Sequence, residues 1–218
     1  MTALHKSAVL IVILALVVLA PRGIAGDRSG DFDYYLLALS WVPAWCEVTG
    51  DARADPSCAR GAAQGFTVHG LWPQHRRGWP EYCRTTERDP SRRETAAMAG
   101  LMASAGLAWH QWRKHGRCTG LSAQAYFEAT REAAGRVRLP PVFDLISRDM
   151  RLTQSVVAEA FREANPAISP DGLVVSCQDG VIREVRICMT RELGFRPCGA
   201  DVLSRACGPA PRRLPALR

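Results

Sequence analysis

The chain has 218 residues and a formal net charge of +7. This length corresponds to one domain or at most two and excludes a large multidomain protein. A basic balance is typical of proteins that meet polyanions such as nucleic acid, anionic lipid or acidic glycan, although a solvated, arginine-rich surface gives the same charge.

The chain begins with a segment typical of a secretory signal peptide. His5 and Lys6 precede an apolar run, Ala8–Ala20, which is followed by Pro21 and the small-residue stretch 23–26. The apolar run is shorter than the roughly 20 residues that a membrane-spanning helix needs, which favours a cleaved signal over an uncleaved anchor. We therefore predict an exported protein, periplasmic or extracellular, without stable membrane association after cleavage. The predicted divisions are a signal peptide at 1–26, a single domain at 27–210 and a tail at 211–218.

The first half of the domain is predicted to hold two strands and two helices. Residues 33–41 (DYYLLALSW) and 65–72 (GFTVHGLW) are aromatic and apolar, which predicts buried strands. Residues 91–105 predict a helix that begins with a capping box. A short helix is predicted at 109–115, where Gly116 would stop it.

The second half is predicted to hold two further helices and a hairpin. One helix begins at Ser122, and an amphipathic one covers residues 153–164. Strands at 173–176 and 181–189 flank an Asp-Gly pair, which is a hairpin signal. The tail after Cys207, rich in Pro and Arg, is expected to be loose. Helices and strands without regular alternation favour an α+β fold.

Eight cysteines follow the predicted signal peptide. An even number in an exported chain predicts four disulfides, so the fold should be disulfide-stapled. The chain has no Cys-x-x-Cys pair and no histidine near its C-terminal cysteines, which disfavours a zinc site. The cysteines are Cys46, Cys58, Cys83, Cys118, Cys177, Cys188, Cys198 and Cys207.

Two of the histidines lie close together in the segment WHQWRKHGRC, residues 109–118. His110 and His115 are five residues apart, so on a helix they would point some 140° apart and could not form a zinc pair. His110 and Lys114 are four apart and share a helix face, which suits an anion. If Gly116 ends the helix, His115 can turn toward the same site.

Histidines on separate elements suit acid–base catalysis near neutral pH, because one ring can accept a proton while another donates. A lysine beside them can stabilise developing negative charge. RNA carries its own nucleophile, the 2′-hydroxyl, so its cleavage needs only a base, an acid and a cation. The plainer interpretations are that His69 bonds to backbone within a strand and that Trp72 and Trp112 pack in the core.

Two segments resemble the active-site segments of the ribonuclease T2 family: FTVHGLWPQ at residues 66–74 and WHQWRKHGRC at residues 109–118. The segments DYYLLALSWVPAWC, GWPEYC and LVVSCQDGVIREVRICM resemble that family's first strand, cysteine-bearing loop and C-terminal hairpin. The resemblance implies an α+β fold, with a twisted, mainly antiparallel sheet and surrounding helices. It also implies metal-free endonucleolytic cleavage of single-stranded RNA, through 2′,3′-cyclic phosphate ends and then 3′-phosphates. We expect a monomer without metal or cofactor.

The resemblance also implies roles for particular residues. His69 would protonate the leaving 5′-oxygen, and His115 would take the proton of the 2′-hydroxyl. His110 and Lys114 would contact the phosphate, and Trp72 would stack on a base. The family's pattern implies the disulfides Cys46–Cys58, Cys83–Cys118, Cys177–Cys207 and Cys188–Cys198.

The chain departs from the family at one catalytic position, where Gln111 replaces the usual Glu. The departure affects the expected rate rather than the fold. It leaves an alternative function: a catalytically impaired exported relative that binds RNA or a partner. The intact His69 and His115 favour the enzyme.

Overall fold

The structure is a computed structural model that describes residues 27–62 and 64–218, so the predicted signal peptide lies outside the described residues. The strands are β1 (Tyr34–Trp41), β2 (Phe66–Gln74), β3 (Met150–Leu152), β4 (Leu173–Gln178), β5 (Val181–Met189) and β6 (Arg212–Leu214). The α-helices are α1 (Val42–Trp45), α2 (Arg92–Ala96), α3 (Ala99–Met102), α4 (Ala105–Lys114), α5 (Ala123–Gly135), α6 (Gln154–Ala164) and α7 (Ala200–Leu203).

One sheet organises the fold, in the order β2-β1-β5-β6-β3, with β4 paired to β5. Every pairing is antiparallel except the single parallel contact between β5 and β6. The β4–β5 turn is the predicted Asp-Gly hairpin: Asp179 and Gly180 have φ of 51° and 78°, as a type I′ turn requires. β2 continues past its predicted end through Pro73, which an edge strand tolerates. The predicted α+β fold with a mainly antiparallel sheet is confirmed.

Two helices, α2 and α5, start at the residues that the sequence predicts, but two other helix boundaries differ from the prediction. Ser91 and Glu94 form the capping box, and Ser122 caps α5. The helix predicted at 91–105 is broken into α2 and α3. The helix that carries the WHQWRKHGRC segment begins earlier than predicted, because Ser104 caps it through Leu107 N–H. Within the described residues, no helix is long and apolar enough to cross a membrane.

A β-bulge in β2 determines which side chains share a face of the sheet. Ala38 pairs with Gly70 and Leu39 with Val68, so His69 is the extra residue without a partner. An extra residue shifts the strand's alternation by one. Val68 and Leu71, three apart, therefore both face the main core, and His69 and Trp72 can share the opposite face.

Four disulfides tie the chain together, in the same pairs that the resemblance implies: Cys46–Cys58, Cys83–Cys118, Cys177–Cys207 and Cys188–Cys198. Two of them anchor the segments around the hairpin, at Cys177 on β4 and Cys188 on β5. The Cys83–Cys118 bond fixes the turn that follows α4. All eight cysteines are therefore in disulfides, as predicted.

The prediction of a loose tail at 211–218 is wrong. Residues 212–214 form β6, and Leu214 is fully buried in the main core. The indole N–H of Trp41 donates to the Pro215 carbonyl at 2.9 Å. The arginines that suggested a solvated tail pair instead with carboxylates: Arg213 with Glu47 and Asp149, and Arg218 with Asp51. The packed unit therefore extends beyond residue 210.

The buried tail makes a testable prediction about stability. Leu214→Ala should lower the free energy of unfolding by about 2–5 kcal/mol, because it removes a core side chain and leaves a cavity. Leu145→Ala is the matched control, since Leu145 is 77% exposed, and should change it by less than about 0.5 kcal/mol. Denaturant unfolding of both variants measures the difference. Equal, small effects would mean that the tail does not pack in solution.

Candidate active site

His69 lies on the bulge of β2, on the face of the sheet opposite the main core. Its Nδ1 is 2.5 Å from Oε1 of Glu184, which lies on β5. The other carboxylate oxygen, Oε2, accepts bonds from Arg186 Nε at 2.9 Å and Nη2 at 2.7 Å. The His69 side chain remains 31% exposed, whereas Glu184 is buried. The His69 ring is therefore fixed by a hydrogen bond at Nδ1 and remains partly accessible to solvent.

The charges around Glu184 keep its carboxyl group ionised. Burial by itself raises the pKa of Glu184, because a charged group is costly away from water. The hydrogen bond from His69 and the charges of His69 and Arg186 outweigh that effect and lower the pKa to about 2. Glu184 is thus an acceptor at every pH at which the protein would work.

His115 caps the C-terminal end of α4 and is 5% exposed. Gly116 follows, and a Cβ there would collide with the rings of Trp112 and Tyr126, so only glycine allows this close turn. Burial, and then the charges of Lys114, His69 and His110, lower the pKa of His115 to about 2. Its Nδ1 has no hydrogen-bond partner in the described part of the chain. His115 is therefore neutral in the free protein.

Trp72 brings the two histidines to one place. Its ring makes an edge contact with His69 and stacks on His115 at 25°, with a centroid separation of 5.2 Å in each case. Its Nε1–H donates to Gln111 Oε1 at 2.6 Å, and Gln111 is buried. A Cβ on Gly70 would collide with both of these groups, so glycine is what lets β2 approach α4.

Two cavities open beside these residues. The larger, about 510 Å³, is lined by His69 and His110 together with Ser40, Thr67, Arg53 and Leu107. The smaller, about 180 Å³, is lined by Trp72, Lys114 and His115 together with Gln74, Trp79 and Arg205. The guanidinium of Arg205 lies over the Trp79 ring, 4.3 Å from its centroid. A flat ligand group in the smaller cavity would therefore meet aromatic and cationic surfaces.

His110 and Lys114 add positive charge to the site from different sides. His110 is exposed and lines the larger cavity, whereas Lys114 lines the smaller one and lies 3.4 Å from Glu81 Oε2. Burial, then the charges of Lys114, His69 and Arg113, lower the pKa of His110. Because positive charges on these groups repel one another, a bound anion would stabilise the charged form of each group.

Sequence reasoning identified most of this constellation and missed its β5 component. From the sequence, Glu184 and Arg186 are expected only to form part of the C-terminal hairpin. A signal was present, because Arg183, Glu184 and Arg186 place three charges in a strand whose other residues are apolar. Trp112 takes its expected core position, fully buried, with its indole N–H on Asp89. No group of three or more His, Cys, Asp or Glu residues suited to a metal ion occurs among residues 27–62 and 64–218.

Comparisons with known proteins give the family and the fold. The profile of the Ribonuclease T2 family matches residues 32–198. A ribonuclease of Aeromonas hydrophila is 32% identical over 196 residues, which cover 88% of this chain and 85% of that protein. Among solved structures, an RNase-related protein from Calystegia sepium superposes with a TM-score of 0.67 at 20% identity, over 86% of this chain and 98% of that one. RNase NT in complex with 5′-AMP gives 0.63 at 22% identity, over 85% and 99%.

The fold and the matched residues define an α+β protein of the ribonuclease type, with both histidine segments inside the matched range. The chain belongs to the ribonuclease T2 family. This is a family of endoribonucleases, which act on RNA.

The crowding at Gly70 gives a prediction for the site. Gly70→Ala should lower kcat/KM on RNA by about 10-fold or more, because the methyl group would separate Trp72 from Gln111 and displace His69 relative to His115. Gly100→Ala is the matched control: a Cβ there meets nothing within 4 Å, so activity should be unchanged. If both variants keep full activity, the contact between β2 and α4 does not govern catalysis.

Proposed function

We propose that this protein is an exported, metal-independent endoribonuclease that cleaves single-stranded RNA by transphosphorylation. The observation that supports this most strongly is the contact of His69 and His115, from two distant segments, with the same indole ring. One histidine is neutral and buried, and the other is bonded to a carboxylate. This asymmetry suits one proton acceptor and one proton donor.

In the proposed first step, His115 takes the proton of the 2′-hydroxyl and the 2′-oxygen attacks the adjacent phosphorus. The bond from phosphorus to the 5′-oxygen breaks, and that oxygen receives a proton from His69. The products are a 2′,3′-cyclic phosphate and a 5′-hydroxyl. In the slower second step the roles reverse: His69 takes a proton from water, the water oxygen attacks phosphorus, and the released 2′-oxygen takes the proton from His115. A 3′-phosphate results.

Lys114 and His110 are the proposed phosphate-contacting groups. Burial, and then neighbouring positive charges, lower the pKa of His110 and of His115. The negative charge of a phosphate would offset the second of these causes, and so would make His115 a stronger base once substrate is bound. Gln111 would donate from its amide group while its oxygen holds the indole. Trp72 and Trp79 supply flat rings for a base in the smaller cavity.

Export is proposed from the covalent structure together with the N-terminal sequence. Four disulfides persist in oxidising compartments and are rare in the cytosol. Residues 1–26 have the layout of a secretory signal. The destination is the periplasm or the extracellular medium, and the working form is a monomer.

The alternative, an exported relative that binds RNA or a partner without cleaving it, rests on Gln111. The contact between Gln111 Oε1 and the Trp72 indole argues against it, because a glutamine oxygen accepts that bond as a glutamate oxygen would. The substitution therefore preserves the packing of the site and removes only a charge.

The proposed chemistry predicts the products and the residues required. RNA digested in EDTA should carry 2′,3′-cyclic phosphate ends, and DNA should remain intact because it lacks the 2′-hydroxyl; mass spectrometry of short digests shows both. His69→Ala and His115→Ala should each lower kcat by about 10²–10⁴-fold, the usual contribution of one proton carrier. His75→Ala is the control and should match the natural protein. Products with 5′-phosphate ends would contradict the mechanism.

Gln111 gives a second prediction, which separates the enzyme from the binding protein. Gln111→Glu should change kcat by about tenfold or less, since only charge differs. Gln111→Ala should do more damage, because it leaves the Trp72 N–H without its buried acceptor and removes the amide that is proposed to donate a hydrogen bond to the phosphate, a loss of about 10²–10³-fold. The measurement is kcat on a dinucleotide from pH 4 to 8. Turnover by Gln111→Glu alone, with none by the natural protein, would support the binding protein.

A further inference from the structure

We propose that Glu184 is a positioning residue for the leaving-group acid, and that it acts by fixing the ring and the tautomer of His69. The inference rests on the proposed function, in which His69 protonates the 5′-oxygen. Glu184 lies 115 positions from His69 in sequence, outside both active-site segments.

The carboxylate is held so that its two oxygens have separate tasks. Oε1 faces His69 Nδ1 at 2.5 Å, with the Ser40 hydroxyl at 3.4 Å, and Oε2 receives both bonds from Arg186. The planar guanidinium fork fixes the plane of the carboxylate. Rotation of either group would break bonds in a buried place, so the direction of Oε1 is set before substrate binds.

This direction determines which nitrogen of His69 does the chemistry. An ionised carboxylate only accepts, so Nδ1 must carry a hydrogen in both the neutral and the charged ring. Nε2 is then the nitrogen that gives its proton to the 5′-oxygen as the phosphorus–oxygen bond breaks. The ring ends neutral, with hydrogen still on Nδ1, and Glu184 takes no proton.

Irregularities in two strands position His69 and Glu184 next to each other. An ordinary surface ion pair would not need such irregularities. His69 is the extra residue of the bulge in β2. On β5, Glu184 pairs with Ser176 whereas Ile182 pairs with Cys177, so Arg183 is the extra residue of a second bulge, adjacent to Glu184. Bulges redirect side chains near active sites. Each partner of the His69–Glu184 contact therefore lies at or beside a break in regular pairing.

A purely structural role would be that Glu184 merely neutralises Arg186, whose guanidinium lies 5.4 Å from the centre of the Trp72 ring. The two roles differ in which reaction step they affect. Positioning of the acid matters only when the leaving group needs a proton. Loss of structure would slow every substrate.

The experiment compares Glu184→Gln with the natural protein on two substrates that share a 3′-nucleotide. One is the dinucleotide UpA, whose 5′-oxygen must be protonated. The other is uridine 3′-(4-nitrophenyl phosphate), whose leaving group departs as a stable anion. We expect kcat on UpA to fall by about 10- to 100-fold, the usual effect of losing a residue that orients a functional histidine. KM on UpA should change less than about threefold, and kcat on the nitrophenyl ester less than about threefold.

Three further variants make the result specific. His69→Ala should show the same selectivity, with a larger loss on UpA. The double variant His69→Ala/Glu184→Gln should lose nothing beyond His69→Ala, because Glu184 acts through that ring. Glu94→Gln is the matched control: Glu94 also receives two bonds from one arginine, Arg88, but lies on α2, and it should leave both rates unchanged.

Equal losses of Glu184→Gln on both substrates, or full activity on UpA, would overturn the proposal. If Glu184→Gln does not fold, as judged by circular dichroism, Glu184→Asp replaces it; the shorter side chain keeps the charge and withdraws Oε1 from Nδ1, and the same selectivity is expected. Failure of the proposed function gives a different result: His69→Ala would then lack selectivity between the two substrates, or the natural protein would not cleave UpA.

Discussion

The site depends on one close approach, between the edge strand β2 and the C-terminal end of α4. Trp72 and Gln111 meet there through a partly buried 2.6 Å hydrogen bond, and Gly70 leaves the space for it. If that approach opened by the width of a methyl group, His69 and His115 would no longer contact the same ring. The chemistry proposed for this protein requires both of them at one phosphate.

Several other contacts stabilise the close approach of β2 to α4. The Tyr126 hydroxyl donates to the Leu71 carbonyl at 3.0 Å, and the Tyr82 N–H donates to the Lys114 carbonyl at 2.8 Å. The Cys83–Cys118 disulfide closes the turn after α4. Trp112, a residue of α4, is fully buried, which fixes the rotation of the helix. A rigid frame of this kind suits a site whose groups repel one another, because the frame must supply the free energy that keeps four basic side chains together.

The sequence predicted the parts that follow local rules. The aromatic and apolar run at 33–41 predicted β1, and the Asp179-Gly180 pair predicted the hairpin that contains β5. Ser91, Ser122 and Thr153 mark helix starts because their side chains accept from free N–H groups. The resemblance supplied the histidines and the pairing of the cysteines.

The resemblance could not supply the bulge at His69, which depends on how β1 and β2 pair and not on composition. Glu184 was missed for the same reason, because its contact with His69 is set by strand order. The tail was misjudged because its arginines find partners, such as Glu47 and Asp149, that lie far away in the sequence.

A structure of the protein bound to the uncleavable dinucleotide 2′-deoxyuridylyl-(3′,5′)-adenosine would test the central claim most directly. The account predicts that the bridging phosphate lies within hydrogen-bond distance of His69 Nε2 and of the His115 ring, with Lys114 or His110 on a phosphoryl oxygen and Nδ1 of His69 still on Glu184. A phosphate that contacts only one of the two histidines, or that binds away from Trp72, would contradict it.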